Sequence, residues 1–180
     1  MAARKPAKST RRSAPTDAIG LLKADHRQVE EWFGAFEKAR DDSRKKDLAA
    51  KICNALKVHT QIEEEIFYPA FIEATEDEDL HHEAVVEHNG AKKLIADIEA
   101  SGPSDDYYDA KVTVLSEMIK HHVKEEEQPG GMFAEARKSD MDLVALGAQL
   151  KARKQELMNG TAGGTPRSRK NKDAQTQLHA

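Results

Sequence analysis

The sequence predicts an all-α protein: an antiparallel up-down-up-down four-helix bundle, followed by a short additional C-terminal helix and flanked by disordered basic tails. Three observations carry that expectation. Charged residues make up 33% of the chain and apolar residues 38%, with Ala, Glu, Lys and Asp abundant and β-branched runs scarce, which favours soluble helices over strands. Four successive stretches place apolar residues at alternating steps of three and four, the pattern of one buried helix face. The first three connections between those stretches are short, and short connections make consecutive helices antiparallel neighbours.

A chain of 180 residues fits one domain with a substantial core. Residues 1–16 and 159–180 are rich in Lys, Arg, Ser, Thr, Gly and Pro and have almost nothing to bury, so both are expected to be disordered. The domain is expected over residues 17–158, as the bundle with its C-terminal helical extension.

The first helix starts at Thr16 or Asp17 as N-cap and runs to about Asp41. Its stripe is Ile19, Leu22, His26, Val29, Phe33 and Phe36. Polar residues 41–47 form the turn, and a second helix spans about Lys45 to Ala74, with Leu48, Ile52, Leu56, His59, Glu63 and Ile66 on its inner face. Pro69 lacks a backbone donor and is expected to kink that helix at the end of the stripe. After an acidic turn, a third helix from about Leu80 to Ala100 turns Ala84, His88, Ala91, Ile95 and Ile98 inward. Ser104 or Asp105 caps the fourth, whose stripe is Tyr108, Val112, Leu115, Ile119, His122 and Glu126. In this register His121 and Glu125 point about 100° away from the inner face. Pro129-Gly130-Gly131 breaks the helix, and Met132 to about Met158 reads as one or two amphipathic segments packed across the bundle.

The longest nearly apolar run, Ile66 to Ile72, falls far short of the roughly 20 residues that cross a bilayer. No membrane partner is expected. The basic N-terminus has no apolar segment behind it, and Pro6 and Pro15 argue against an amphipathic transit peptide, so the expected address is cytoplasmic. The single Cys53 cannot form an internal disulfide and reads as a small helix residue. The two tails carry +5 and +3, leaving −12 for the residues between them within a total of −4. No aromatic residue interleaves the basic tail residues, so nucleic-acid binding is not expected. No obligate protein partner is implied.

Each helix of the expected bundle puts one histidine on its apolar face, and two helices add a glutamate four residues later. That spacing stacks imidazole and carboxylate on one face. Two facing carboxylates in a core are costly unless a cation lies between them. A mixed imidazole and carboxylate set suits iron, with manganese or zinc as alternatives, better than calcium or magnesium. Shared carboxylates and two histidines per ion give each of two ions four protein ligands, with open positions left for a small molecule. Glu64, Glu65, Glu125 and Glu127 flank the set and mostly face water, though each could hold an imidazole by its second nitrogen. His26 with Glu30 has the same spacing, but Glu30 reads as a solvated face residue. His81, His82, His121 and His179 lie off the stripes and read as exposed, while Tyr68 and Trp32 read as packing residues.

Taken together, Asp25-His26, His59-Thr-Gln-Ile-Glu63-Glu64 with Tyr68-Pro69, Glu87-His88 and His121-His122-Val-Lys-Glu125-Glu126 resemble the hemerythrin-like, or HHE cation-binding, family over about residues 17–136. The resemblance implies a non-haem di-iron centre, two iron ions bridged by two carboxylates, with His26, His59, Glu63, His88, His122 and Glu126 as ligands. Oxygen-carrying members have a fifth histidine on the third helix, four residues from another, whereas Ala84 and Lys92 occupy those places here. Glu83 or Glu87 is the candidate substitute. Gln128-Pro129-Gly130-Gly131 also departs from the family pattern and implies a different lid. The function expected is binding, sensing or scavenging of oxygen, peroxide or nitric oxide. The alternatives are a peroxide-decomposing or ferroxidase enzyme at the same site, and an iron-storage or interaction bundle without turnover.

Overall fold

A computed structural model describes residues 17–162. The expected tail 1–16 and residues 163–180 lie outside the described residues. Helix α1 (Ala18–Lys38) is capped by Asp17, whose carboxylate accepts from Gly20 N at 2.7 Å. Asp41 caps α2 (Asp42–Ile62) in the same way, accepting from Arg44 N. Both caps satisfy amides that have no intrahelical partner. The turn between the helices is therefore only residues 39–41, shorter than the sequence suggested, because α1 ends at its C-cap Ala39 and Asp41 already caps α2.

Helix α2 passes into a π-helical turn (Glu63–Phe67) and on into α3 (Tyr68–Thr75) without a break. Across that turn Tyr68 N donates to Glu63 O, one residue further back than in an α-helix. Pro69 stands in the first turn of α3, directly after the π turn, where the backbone hydrogen bonding is already shifted. The expected kink is thus absorbed as a wider turn. Helix α4 (Glu78–Glu99) is capped by Asp77, and α5 (Tyr108–Glu127) begins three residues later than Asp105, whose side chain instead accepts from Tyr107 N.

Helices α1, α2, α4 and α5 close a ring in which each packs on its sequence neighbours and α5 returns to α1. This is the up-down-up-down bundle. The C-terminal part holds two helices rather than one short one, namely α6 (Met132–Lys138) and the long α7 (Leu143–Ala162), which ends beyond Met158. Helix α7 lies on α1, α2 and the π turn, with Leu146 and Leu150 buried. No helix among the described residues is long and apolar enough to cross a membrane.

The core has two apolar clusters. One holds Val29, Phe33, Leu56, Ala91, Ile95 and Ile119 among others. The second gathers Ile19, Leu22, Ile62, Phe67, Phe71, Ala84, Phe133 and Leu150. His26, His59 and His88 each fall between a residue of one cluster and a residue of the other along their own helices, and His122 follows Ile119 at the end of the first cluster, so a polar layer crosses the bundle where the clusters meet. Cys53 is buried in the first cluster, and burial pushes its thiol up to about 11, as suits an inert packing residue.

Candidate metal centre

All four helices bring their imidazoles to the same depth. His26, His59, His88, His122, Glu63 and Glu126 are each at most 5% exposed. His26 Nε2 is 3.0 Å from His59 Nε2, and across the bundle His88 Nε2 is 3.2 Å from His122 Nε2. The two carboxylates tie the pairs together. Glu63 Oε2 lies 3.2 Å from His59 Nε2 and 3.5 Å from His88 Nε2. Glu126 Oε2 lies 3.4 Å from His26 Nε2 and 3.6 Å from His122 Nε2. Two triads, His26 with His59 and Glu63, and Glu63 with His88 and His122, are compact enough to hold a cation.

The outer nitrogens explain why the inner ones face each other. His26 Nδ1 donates to Glu127 at 2.9 Å, His88 Nδ1 to Glu64 at 2.9 Å and His122 Nδ1 to Glu87 at 2.7 Å. A carboxylate only accepts, so Nδ1 carries the proton in these three rings and Nε2 is left to turn its lone pair inward unless the ring is a cation. The carboxylates are themselves held: Glu127 by Arg27 and Lys23, Glu64 by Lys92, and Glu87 by His121. His59 differs, with Nδ1 at the longer distance of 3.5 Å from Asp25.

The centre is electrostatically unsatisfied. Both oxygens of Glu63 and Oε2 of Glu126 are buried without a hydrogen-bond donor. Burial, reinforced by the Glu126 carboxylate, raises the Glu63 carboxyl well above its usual range. Glu126 is also raised by burial, against the pull of His122 and His59. Burial drives His88 down to about 2 and His26 well below its ordinary value, so both rings are neutral. His122 is raised despite burial because Glu126 and Glu87 flank it. The neutral His26 and His88 rings turn their inner nitrogens toward orphaned carboxylate oxygens, a buried arrangement that a divalent cation would neutralise.

Other groups depart from the sequence-based reading. Tyr68 is more than a packing residue: its hydroxyl is 3.2 Å from His88 Nε2 and 3.4 Å from Glu126 Oε1. In a plain α-helix residue 68 would sit about 140° around from residue 63. The π turn places it one turn below Glu63, on the same face. The same shift buries Phe67 and Phe71 and leaves Ile66 only half-buried, one residue out of the expected register. Glu87 hydrogen-bonds His122 Nδ1 from outside, while Glu83 is exposed. Among the four flanking glutamates, Glu64 and Glu127 hold imidazoles, whereas Glu65 pairs with Arg153 and Glu125 accepts from Gln128. His81 is half-buried, edge-on to Tyr68, rather than exposed. His179 lies outside the described residues.

One end of the layer is closed by α6, where the Phe133 ring lies parallel to that of His26 with centroids 5.8 Å apart. On the other side a small apolar pocket, walled by Val29, Leu56, Ile119 and Val123, reaches all four histidines. A surface groove of about 250 Å³ between α1 and α5 meets it at His26, Ile119 and Val123.

Residues 17–129 match the family model described as Hemerythrin HHE cation binding domain. A DNA nickase from Nostoc sp. is 25% identical over 145 residues, covering 79% of this chain and 40% of that protein, so the chain spans less than half that relative's length. The crystal structure of a hemerythrin HHE cation binding domain-containing protein from Mycobacterium kansasii has the same fold, with a TM-score of 0.68 at 22% identity over 81% of this chain and 90% of that one. The matched region takes in the polar layer of all four helices and more than half of the chain, which therefore belongs to the hemerythrin HHE cation-binding domain family.

Proposed function

We propose that the chain is a non-haem di-iron protein that binds, senses or scavenges a small oxidant or diatomic ligand such as oxygen, peroxide or nitric oxide. His26 and His59 would hold one ion and His88 and His122 the other, with Glu63 and Glu126 supplying the carboxylates. The observation that carries this reading is the buried set of opposed imidazole nitrogens and orphaned carboxylate oxygens. Manganese or zinc fits the same donors less specifically than the family suggests for iron. When bound, iron supplies electron exchange and an acidic coordination position. The protein's own residues fix the imidazoles through their outer nitrogens, exclude bulk water and restrict entry to small molecules.

The test is elemental analysis of the purified full chain together with its absorption spectrum after anaerobic reduction and again after exposure to oxygen. About two iron ions per chain and a reversible spectral change are expected. A spectrum indifferent to both treatments contradicts the reading.

Turnover of peroxide, or oxidation of ferrous iron, is a second reading that one observation favours: the Tyr68 hydroxyl places a buried hydrogen-bond donor beside Glu126. Steady-state consumption of peroxide by the parent chain and by Glu63→Ala separates it from simple binding, since equal rates argue against catalysis at the centre. Strand cleavage, named for the Nostoc relative, forms no part of the proposal, because a centre this deeply buried excludes a polynucleotide phosphate.

A further inference from the structure

The four supporting carboxylates are not equivalent. Three are glutamates that hydrogen-bond their imidazoles at 2.7–2.9 Å while also meeting a cation or a second imidazole. The fourth, Asp25, has a side chain one methylene shorter and serves two partners from two different helices. Its Oδ1 takes the ammonium of Lys154 on α7, while its Oδ2 stays 3.5 Å from His59 Nδ1, well beyond the 2.7–2.9 Å of the other three contacts. Lys154 is itself held in place by a docked helix: Leu150 is buried one turn earlier, and the adjacent Arg153 pairs with Glu65 in the π turn. Helix α7 thus draws on the one carboxylate that could orient His59.

We propose that Lys154 is a positioning residue that withholds Asp25 from His59, making the His26–His59 pair the weaker of the two cation sites and coupling its strength to the docking of α7. The inference rests on the metal-binding reading above. A carboxylate accepting from the outer nitrogen of a ligating imidazole fixes its tautomer and raises its basicity, and losing such a partner typically costs ten- to hundredfold in metal affinity. His59 is the one imidazole in the layer whose carboxylate stands as far off as 3.5 Å. With Lys154 gone, a carboxylate mostly out of water has His59 Nδ1–H as its remaining donor and closes on it.

Two measurements on the full chain test this. In the metal-free protein, ¹⁵N spectra of the histidine side chains report which nitrogen of His59 carries the proton. Lys154→Met is expected to produce a slowly exchanging Nδ1–H at His59, and Lys154→Arg to preserve the parent signal. In cobalt titrations followed by visible absorption, the parent takes up two ions in separable steps. Lys154→Met is expected to tighten the weaker step about tenfold and leave the stronger unchanged, and adding Asp25→Asn removes that gain. An unchanged His59 signal with an unchanged weaker step overturns the relay alone. Failure of both proteins to take up cobalt overturns the metal reading and the affinity difference with it, while the metal-free spectra still decide whether Lys154 governs the Asp25–His59 contact.

Discussion

The hydroxyl of Tyr68 stands 3.4 Å from Glu126 Oε1, donating into a layer otherwise short of donors. His88 Nε2 is its other neighbour, at 3.2 Å, and burial beside Glu63 and Glu126 holds the phenol well above its usual pKa, so it keeps its proton. Tyr68→Phe removes one buried hydrogen bond and fills the same space. The metal-free variant is expected to lose about 1 kcal/mol of stability by urea unfolding. If the hydroxyl serves turnover as well, peroxide consumption by the loaded variant falls while its metal content does not.

Glu63 gives a pH dependence with a definite sign. Its folded pKa is raised above 4.5 by burial and the Glu126 carboxylate, so the folded chain binds a proton that the unfolded chain has released. Between about pH 4.5 and the folded pKa, this group's contribution falls as pH rises, by about 1.4 kcal/mol per pH unit. Glu63→Gln lacks that dependence. Metal-free Glu63→Gln should therefore gain stability relative to the parent as pH rises through this window, and a difference constant from pH 4 to 8 contradicts the electrostatic account.

Loading reverses the penalty. An ion bound only by the folded chain adds about 2.7 kcal/mol at one hundred times its dissociation constant. Cobalt or ferrous iron should raise the parent's Tm, a chelator should return it to the metal-free value, and Glu63→Gln should respond to neither.

How much of this was legible beforehand follows from helix geometry. Positions such as His26, His88 and His122 sit in unbroken α-helices, where a period of 3.6 residues fixes the buried face, and all of their stripe partners are buried as expected. Tyr68 was hidden because the π turn lies between it and Glu63, and no propensity in Glu-Glu-Glu-Ile-Phe announces an extra residue. Pro69 marked the disturbance but not its form. Glu87 supports His122 from another helix and Asp25 faces His59 across helices at 3.5 Å; spacing within one helix carries no information about such pairs.

Phe133 shields the layer at the α6 end, parallel to His26 and edge-on to Phe67 with centroids 5.7 Å apart. Phe133→Leu keeps most of the apolar volume but uncovers the imidazole edge. Extraction of the bound ion by a chelator, followed as loss of its absorption, is expected to be faster in this variant than in the parent. Phe133→Ala adds a core cavity and a stability loss of about 3–5 kcal/mol.

The turn that places α6 depends on two glycines for different reasons, and the difference is measurable. Gly130 has φ of +83° and open space where a Cβ would stand, so Gly130→Ala meets backbone strain alone, about 1–2 kcal/mol. Gly131 has an ordinary extended φ but leaves no room: a Cβ there would fall 2.1 Å from the carbonyl oxygen of Glu125 and 3.0 Å from that of Glu126. Those carbonyls belong to the last turn of α5, the turn that aims the Glu126 side chain into the layer. Gly131→Ala can be accommodated only by moving that turn, so it should lower metal uptake as well as stability. Gly130→Ala should lower stability and leave metal stoichiometry intact. Uptake measured on both variants at a temperature where each remains folded tests the assignment, and equal stoichiometry in the two would mean that Glu126 does not depend on the close approach at Gly131.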